Sequence, residues 1–201
     1  HYNSSTQRNY KELGKREEDV FLVTTSRLVE KNAVDVVIRA IAQLPEHIHF
    51  VVFGNGADEQ RLKTIAKELN VAARIHFLGF IPLENIPSYL HACDIFIRPS
   101  RSEGMGSSFI EAMGAGLPVI ATQVGGISDF LFDRKRNSDK EPTGWAVDVD
   151  SPEQIVKAVH TILDNPEETK KTVAHAQAMA FEKYDWDLIA HAMQERVFSK
   201  V

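Results

Sequence analysis

"SRSEGMGSSFIEAMGAGLPVIATQVGG", residues 100–126, follows the apolar run "DIFIRP" (94–99) and itself contains another, "PVIATQ" (118–123). Between the two runs lie a turn carrying Gly104 and Gly106 and a helix-period stretch near 107–115. Strand, glycine turn, helix and strand in that order make one unit of a parallel sheet, because a parallel neighbour is reached only through a crossover. Two carboxylates, Glu103 and Glu111, flank the turn.

The same texture extends outward. Short runs rich in Val, Ile and Phe stand at 20–25 ("VFLVTT"), 48–54 ("IHFVVFG"), 74–79 ("RIHFLG") and 145–149 ("WAVDV"). Their lengths and bounding Gly and Pro fit strands buried on both faces. Helical patterns lie between them near 33–43, 57–69, 84–91 and 126–132, and Val34, Val37, Ile38, Ile41 and Ala42 recur at helical spacing. Six strands alternating with helices predict an α/β domain: an open, doubly wound, mostly parallel, Rossmann-like sheet with helices on both faces.

The ends differ from this middle. Residues 1–19 carry few large apolar groups and read as a tail or interdomain linker, and the Rossmann-like body is expected over 20–165. After Asp150 the strands stop. Ser151, Pro152 and Glu153 form a helix start, and C-terminal helices are expected over 166–201, at 167–183 and 185–199. Residues 133–142, "DRKRNSDKEP", hold seven charges and read as an exposed loop. Contact of Arg134, Lys135 and Arg136 with anionic lipid is the alternative there, diluted by Asp133, Asp139 and Glu141.

Composition removes whole classes of function. The 201 residues carry a formal net charge of −5, so no global positive field gathers nucleic acid, and none is expected as a partner. Cys93 is the only cysteine, which excludes an intrachain disulfide and a thiolate metal cluster. A cytoplasmic location is expected, with peripheral attachment to the cytoplasmic face of a membrane left open for a longer parent protein. The first residue is His1, so a piece of a longer polypeptide is expected.

Ligands of such sheets sit beyond the carboxyl ends of the strands, where loops enter helices. Gly104 and Gly106 permit close backbone approach, and the helix starting near Ser107 offers free N–H groups, so phosphate belongs there. Carboxylates repel phosphate. Glu103 and Glu111 must therefore address another part of the ligand, and an ionised carboxylate accepts the paired hydroxyls of a sugar ring. A ligand with sugar, phosphates and sugar satisfies both acids. Against this, either acid alone would be ordinary, as a dipole partner or a loop residue.

These residues carry a resemblance. The motif of acid, seven residues and acid in residues 100–126 resembles that of the retaining, nucleotide-sugar-dependent glycosyltransferases of the two-domain GT-B fold, the group 1 family. "SRLVEKNAVDVVIRA", "VVFGNGADEQRLKTIAKELNV", "RIHFLGFIP", "YLHACDIFIRPS" and "GWAVDVDSPEQI" continue it over roughly 20–165 in order. It matches the C-terminal, donor-binding half alone. The resemblance implies a transferase of hexosyl type that moves a sugar from a nucleotide diphosphate sugar to an acceptor hydroxyl with retained configuration. It also implies that a missing N-terminal acceptor domain leaves the isolated chain inactive.

Roles follow position by position. Arg27 and Lys31 resemble the basic pair that holds the diphosphate and steadies its charge as it leaves. The family commonly places its lysine five residues after the arginine, where this chain has Asn32, so Lys31 departs from the pattern. Glu103 resembles the acid near the donor sugar, grouped with Arg27 and Lys31 as catalytic. Glu111 resembles the one that grips the ribose. The backbone of Gly104, Met105 and Gly106, with Ser107, is expected to line the sugar and phosphate pocket, and Gly54 to lie near the phosphates. Phe80 and Ile81 stand where relatives contact the base; side-chain packing at the rim remains the alternative. No metal and no other cofactor are required if Arg27, Lys31 and the helix terminus carry the charge.

Other motifs are weaker. "GNGADE" (54–59) opens like a dinucleotide fingerprint, but Glu59 stands in place of the third glycine. "DVD" (148–150) reads as acids ending a strand before a helix start, and His47 and His49 lack a third ligand with metal-site spacing. Two rival readings stay open: a non-catalytic nucleotide-binding module, and a sugar-nucleotide epimerase or phosphorylase of similar fold.

Overall fold

The computed structural model describes residues 14–184. Six strands make one sheet: β1 (Val20–Thr25), β2 (Ile48–Phe53), β3 (Ile75–Gly79), β4 (Ile95–Arg98), β5 (Val119–Thr122) and β6 (Trp145–Val147). Their order is β3-β2-β1-β4-β5-β6 and every neighbouring pair is parallel. Helices α1 (Val34–Ile41), α2 (Glu59–Glu68), α3 (Ile86–Leu90), α4 (Ser107–Gly114), α5 (Pro152–Asp164) and α6 (Pro166–Tyr184) complete it. Single 3-10 turns interrupt the connections, two of them at Glu30–Asn32 and Gly125–Asp129.

The period of two in each strand divides the core. Leu22, Phe50, Val52 and Ile97 pack with α1, α2 and α5 on one face, while Phe21, Val51, Phe53 and Phe96 pack with α3, α4 and α6 on the other. Both faces being covered is why the strands read as continuous apolar runs. Helix α6 belongs to the second face: Ala176, Met179 and Ala180 are buried there, and the Gln177 amide donates to the Gly114 carbonyl at 2.9 Å. The expected helix 167–183 lies within α6, and 185–199 falls outside the described residues.

Several expectations need correction. The helix foreseen at 126–132 is a short 3-10 turn, because Gly125 and Gly126 press against the Glu103 and Gly104 carbonyls, where regular side chains have no room. Residues 15–19, foreseen as tail, are pinned to the body. Lys15 Nζ contacts Asp94 at 2.6 Å, and Asp19, 4% exposed, accepts from Arg16. That guanidinium holds the Asp19 carboxyl at about 2. Ser151 stands at the α5 N-cap without a side-chain hydrogen bond, while Pro152 opens the helix as foreseen.

The charged loop 133–142 is organised from within. The Asp133 carboxylate accepts from the Lys135 and Ala146 backbone N–H groups, the latter on edge strand β6. Arg134 pairs with Glu168, and Arg136 with Asp148 at 2.9 Å. Asp148 also accepts from the Gln154 amide in the first turn of α5 at 2.7 Å, as an acid before a helix start can, while Asp150 pairs with Arg101 at 2.7 Å. His49 finds its partner on β3, with its Nδ1 3.1 Å from His76 Nε2 and the two rings stacked. Among the described residues no helix is long and apolar enough to cross a membrane.

Candidate functional site

Strands β1 and β4 are neighbours from which the chain departs in opposite directions, toward β2 and β3 on one side and β5 and β6 on the other. The loops leaving their carboxyl ends must diverge, and the crevice between them is the topological switch point. The loop after β1 brings Arg27 and Lys31 to this crevice. The loop after β4 brings Glu103, Gly106 and the start of α4.

Two adjoining cavities occupy it. One, about 420 Å³, is mainly apolar, walled by Phe53, Phe80, Ile81, Leu83 and Ile86 together with Ser26, Gly54 and Asn55. The other, about 360 Å³, is polar and holds Lys31, Asn32, Arg98, Glu103 and the Gly106–Ser108 helix start. Thr25, Arg27 and Glu111 line both. An apolar lobe and a cationic lobe thus share a wall that offers one arginine and one carboxylate.

In the polar lobe, three cations face two acids, which distinguishes it from a chain that is negative overall. Glu103 is held tightly for a loop acid. Its Oε2 accepts from Arg98 Nη2 at 2.8 Å, its Oε1 from the Gly104 N–H at 3.0 Å, and Lys31 Nζ stands 3.9 Å from Oε1. The Glu111 carboxylate, by contrast, makes no hydrogen bond or ion pair with a described residue. Its carboxylate is free for a ligand. Burial pushes the Arg98 guanidinium below its usual range, opposed by Glu103 and Glu111.

The loop bearing the basic pair is fixed from behind. Asn32, 4% exposed, donates from its amide to the Arg27 carbonyl at 2.7 Å, so the family's lysine position is here a buried loop tie. Lys31 nevertheless reaches the polar lobe. Arg101 adds a second brace: its backbone N–H donates to the Lys31 carbonyl at 2.7 Å, and its guanidinium grips Asp35, Asp150 and the Glu30 carbonyl. Asp35 raises the Arg101 pKa further.

Glycines let these loops meet. A Cβ on Gly54 would lie 2.0 Å from the Ser26 carbonyl oxygen, and one on Gly125 1.9 Å from that of Glu103. Gly54 therefore lines the apolar lobe chiefly because it lets the first two loops touch. Gly106, at φ 71°, leaves space for Arg98 Nη2 and the Phe109 ring, each 2.7 Å from an added Cβ.

Of the expected residues, Arg27, Lys31, Glu103, Glu111, Gly106, Ser107, Gly54, Phe80 and Ile81 converge on the crevice. Gly104 and Met105 line neither lobe; the Gly104 carbonyl is spent on Gly126 N–H at 2.8 Å, and Met105 is 45% exposed at the rim. Phe80, 74% exposed, lines the apolar lobe at its rim. Sequence reasoning missed Arg98, Arg101, Asn32 and the Gly125–Gly126 pair. The only signal for Arg98 was a charge closing an apolar strand. Among the described residues no three His, Cys, Asp or Glu side chains form a group that could hold a metal ion.

Comparison with known proteins agrees with this architecture. Residues 5–179 match the model of the glycosyl transferases group 1 family, and the chain belongs to that family. A GDP-mannose-dependent α-(1-6)-phosphatidylinositol monomannoside mannosyltransferase of Mycolicibacterium smegmatis is 29% identical over 175 residues, which are 82% of this chain and 44% of that protein. The chain thus spans less than half the length of this relative. Among solved structures, HepE of Anabaena in complex with UDP-glucose superposes with a TM-score of 0.88 at 24% identity, over 99% of this chain and 54% of that one. The C-terminal domain of the group 1 protein LpcC of Francisella tularensis superposes with a TM-score of 0.75 at 22% identity, over 92% of this chain and 96% of that domain. The fold is the Rossmann-like, C-terminal-type half of a GT-B glycosyltransferase.

Proposed function

We propose that this chain is the donor-binding domain of a retaining glycosyltransferase of hexosyl type, and that its ligand is a nucleotide diphosphate sugar. The observation that carries the reading is the pair of lobes joined at Arg27 and Glu111. A base enters the apolar lobe against Phe80 and Ile81. Ribose hydroxyls donate to the free Glu111 carboxylate at the shared wall. The diphosphate meets Arg27, Lys31 and the N–H groups of Ser107 and Ser108, with no metal required. The sugar lies beside Glu103. The relatives' names support a nucleotide sugar, GDP-mannose in one and UDP-glucose in another.

In the parent enzyme, cleavage at the anomeric carbon loads negative charge on the leaving diphosphate, and Arg27 and Lys31 are placed to stabilise that charge. An N-terminal domain would supply the acceptor and close the site, so the isolated chain binds donor and transfers poorly. No nucleic acid partner is proposed, and cytoplasmic residence, at a membrane face or free, completes the reading.

Titration calorimetry of the chain with uridine, UDP and UDP-glucose, and with guanosine, GDP and GDP-mannose, tests it. A diphosphate in one series should bind at least about tenfold tighter than its nucleoside, since each charge-assisted phosphate contact is worth roughly 1.5–3 kcal/mol. Equal affinity for nucleoside and diphosphate in both series refutes it.

A further inference from the structure

Arg98 closes β4, a strand whose other three residues are buried and apolar, and is itself only 6% exposed. A buried guanidinium is tolerated where most of its N–H groups are used; here both Nη groups are, while the buried Nε has no partner among the described residues. Nη1 donates to the Thr25 carbonyl at 3.1 Å and to Ser108 Oγ at 2.9 Å, Nη2 donates to Glu103, and Cζ lies 4.3 Å from the centre of the Phe109 ring. Strand β1, helix α4 and the acidic turn are tied through one planar group. Gly106 lacks the side chain that would displace it.

This arrangement has a consequence for Glu103. Each carboxylate oxygen accepts about two donors. Oε2 has given one place to Arg98 and Oε1 one to the Gly104 N–H, so one acceptor place remains on each oxygen. Two free places on one fixed carboxylate suit two adjacent sugar hydroxyls. Resting on the donor reading above, we propose that Arg98 is a positioning residue: it sets the orientation of Glu103 and thereby the affinity for the sugar part of the donor, without itself touching the sugar.

The competing account gives Arg98 only a structural task, or only a charge. Binding of UDP against UDP-glucose, and GDP against GDP-mannose, separates these. Arg98→Met should weaken the nucleotide sugar about tenfold more than the matching diphosphate, the equivalent of one charge-assisted hydrogen bond. Arg98→Lys should return the diphosphate to within about twofold while the sugar deficit persists, because an ammonium restores charge but not the planar fork. In a Glu103→Gln background, Arg98→Met should add less than about twofold to that deficit, since one acts through the other. Phe109→Leu removes a support that is fully buried and out of ligand reach, and should give a smaller deficit of the same sign should Arg98→Met not fold.

Equal losses for sugar and diphosphate in Arg98→Lys, or additive deficits with Glu103→Gln, would overturn the inference alone. Failure of the unsubstituted chain to bind either pair would overturn the donor reading and take this inference with it.

Discussion

Glu111 is the residue on which the two-lobed reading is most directly tested, and Glu111→Gln is the perturbation. It is the fifth residue of α4, past the first turn where the dipole acts, and its carboxylate has no partner among the described residues. The change should therefore cost the fold less than about 0.5 kcal/mol, a shift of roughly 1–2 °C in thermal midpoint for a domain of this size. Binding should suffer more. Two ribose hydroxyls on a carboxylate make two charge-assisted bonds, and glutamine keeps one acceptor while presenting an amide to the other hydroxyl. The expected loss is about 1.5–2.5 kcal/mol. Removing a negative charge also relieves repulsion with the diphosphate, by about 0.5 kcal/mol once salt screens it. The hydrogen-bond loss is larger, leaving a net loss of about 1–2 kcal/mol, or roughly 5- to 30-fold in Kd. Calorimetry with a nucleoside diphosphate and its 2′-deoxy analogue cancels the charge contribution. The unsubstituted chain should prefer the ribose form by about that factor, and Glu111→Gln by less than about threefold. Undiminished preference in the variant refutes the ribose assignment. A midpoint that falls by several degrees assigns Glu111 to the helix instead.

Arg27→Ala should weaken a diphosphate by about 1.5–3 kcal/mol and leave the nucleoside within about twofold, checked in the same titrations; equal losses contradict its place on the phosphates. Gly125→Ala, whose Cβ would meet the Glu103 carbonyl oxygen at 1.9 Å, should destabilise the chain by about 2–4 kcal/mol, while Gly104→Ala, with nothing within 4 Å of its Cβ, should cost under about 1 kcal/mol in urea melts. Burial lowers the pKa of His49 and of His76 below 6.5, so their neutral pair stabilises the fold fully above that value and less as pH falls below it. The double variant His49→Gln, His76→Gln should flatten the loss of thermal midpoint below pH 6.5; an unchanged slope assigns that loss to other groups.

The sheet was largely legible because each strand is buried on both faces, and a short apolar run such as 48–54, bounded by turn residues, has little choice but to be a central strand. The exception at 126–132 is instructive. Its apolar spacing fits a helix, but the Gly125–Gly126 pair serves contacts with residues some twenty positions earlier, and only the folded chain reveals what the glycines avoid. Strand order was equally a property of the whole: that β1 lies beside β4, opening the crevice, follows from no local pattern.

In the site, the residue types were legible but not their states of engagement. Asn32 looked like a missing lysine; its amide instead secures the loop that carries Arg27, and Lys31 enters the lobe from the adjacent position. Arg98 was hidden because an arginine at the end of a strand ordinarily points to solvent, and its partners come from Thr25, Glu103 and Ser108, three separate segments.

The unequal treatment of the two acids carries the chemical argument furthest. On the proposed reading, Glu111 holds the ribose, which leaves with the diphosphate and changes little during reaction, so a carboxylate without protein partners that binds ground state and transition state alike is sufficient there. On the same reading Glu103 faces the sugar whose anomeric carbon gains positive charge. A carboxylate that had to reorient as that charge develops would lose much of its stabilising effect. The turn spends Arg98 and the Gly104 N–H on fixing it beforehand, and Arg101 and Asn32 do the same for the basic loop opposite. If the donor lies as proposed, rigidity is concentrated where charge moves, and freedom is left where the donor is merely held.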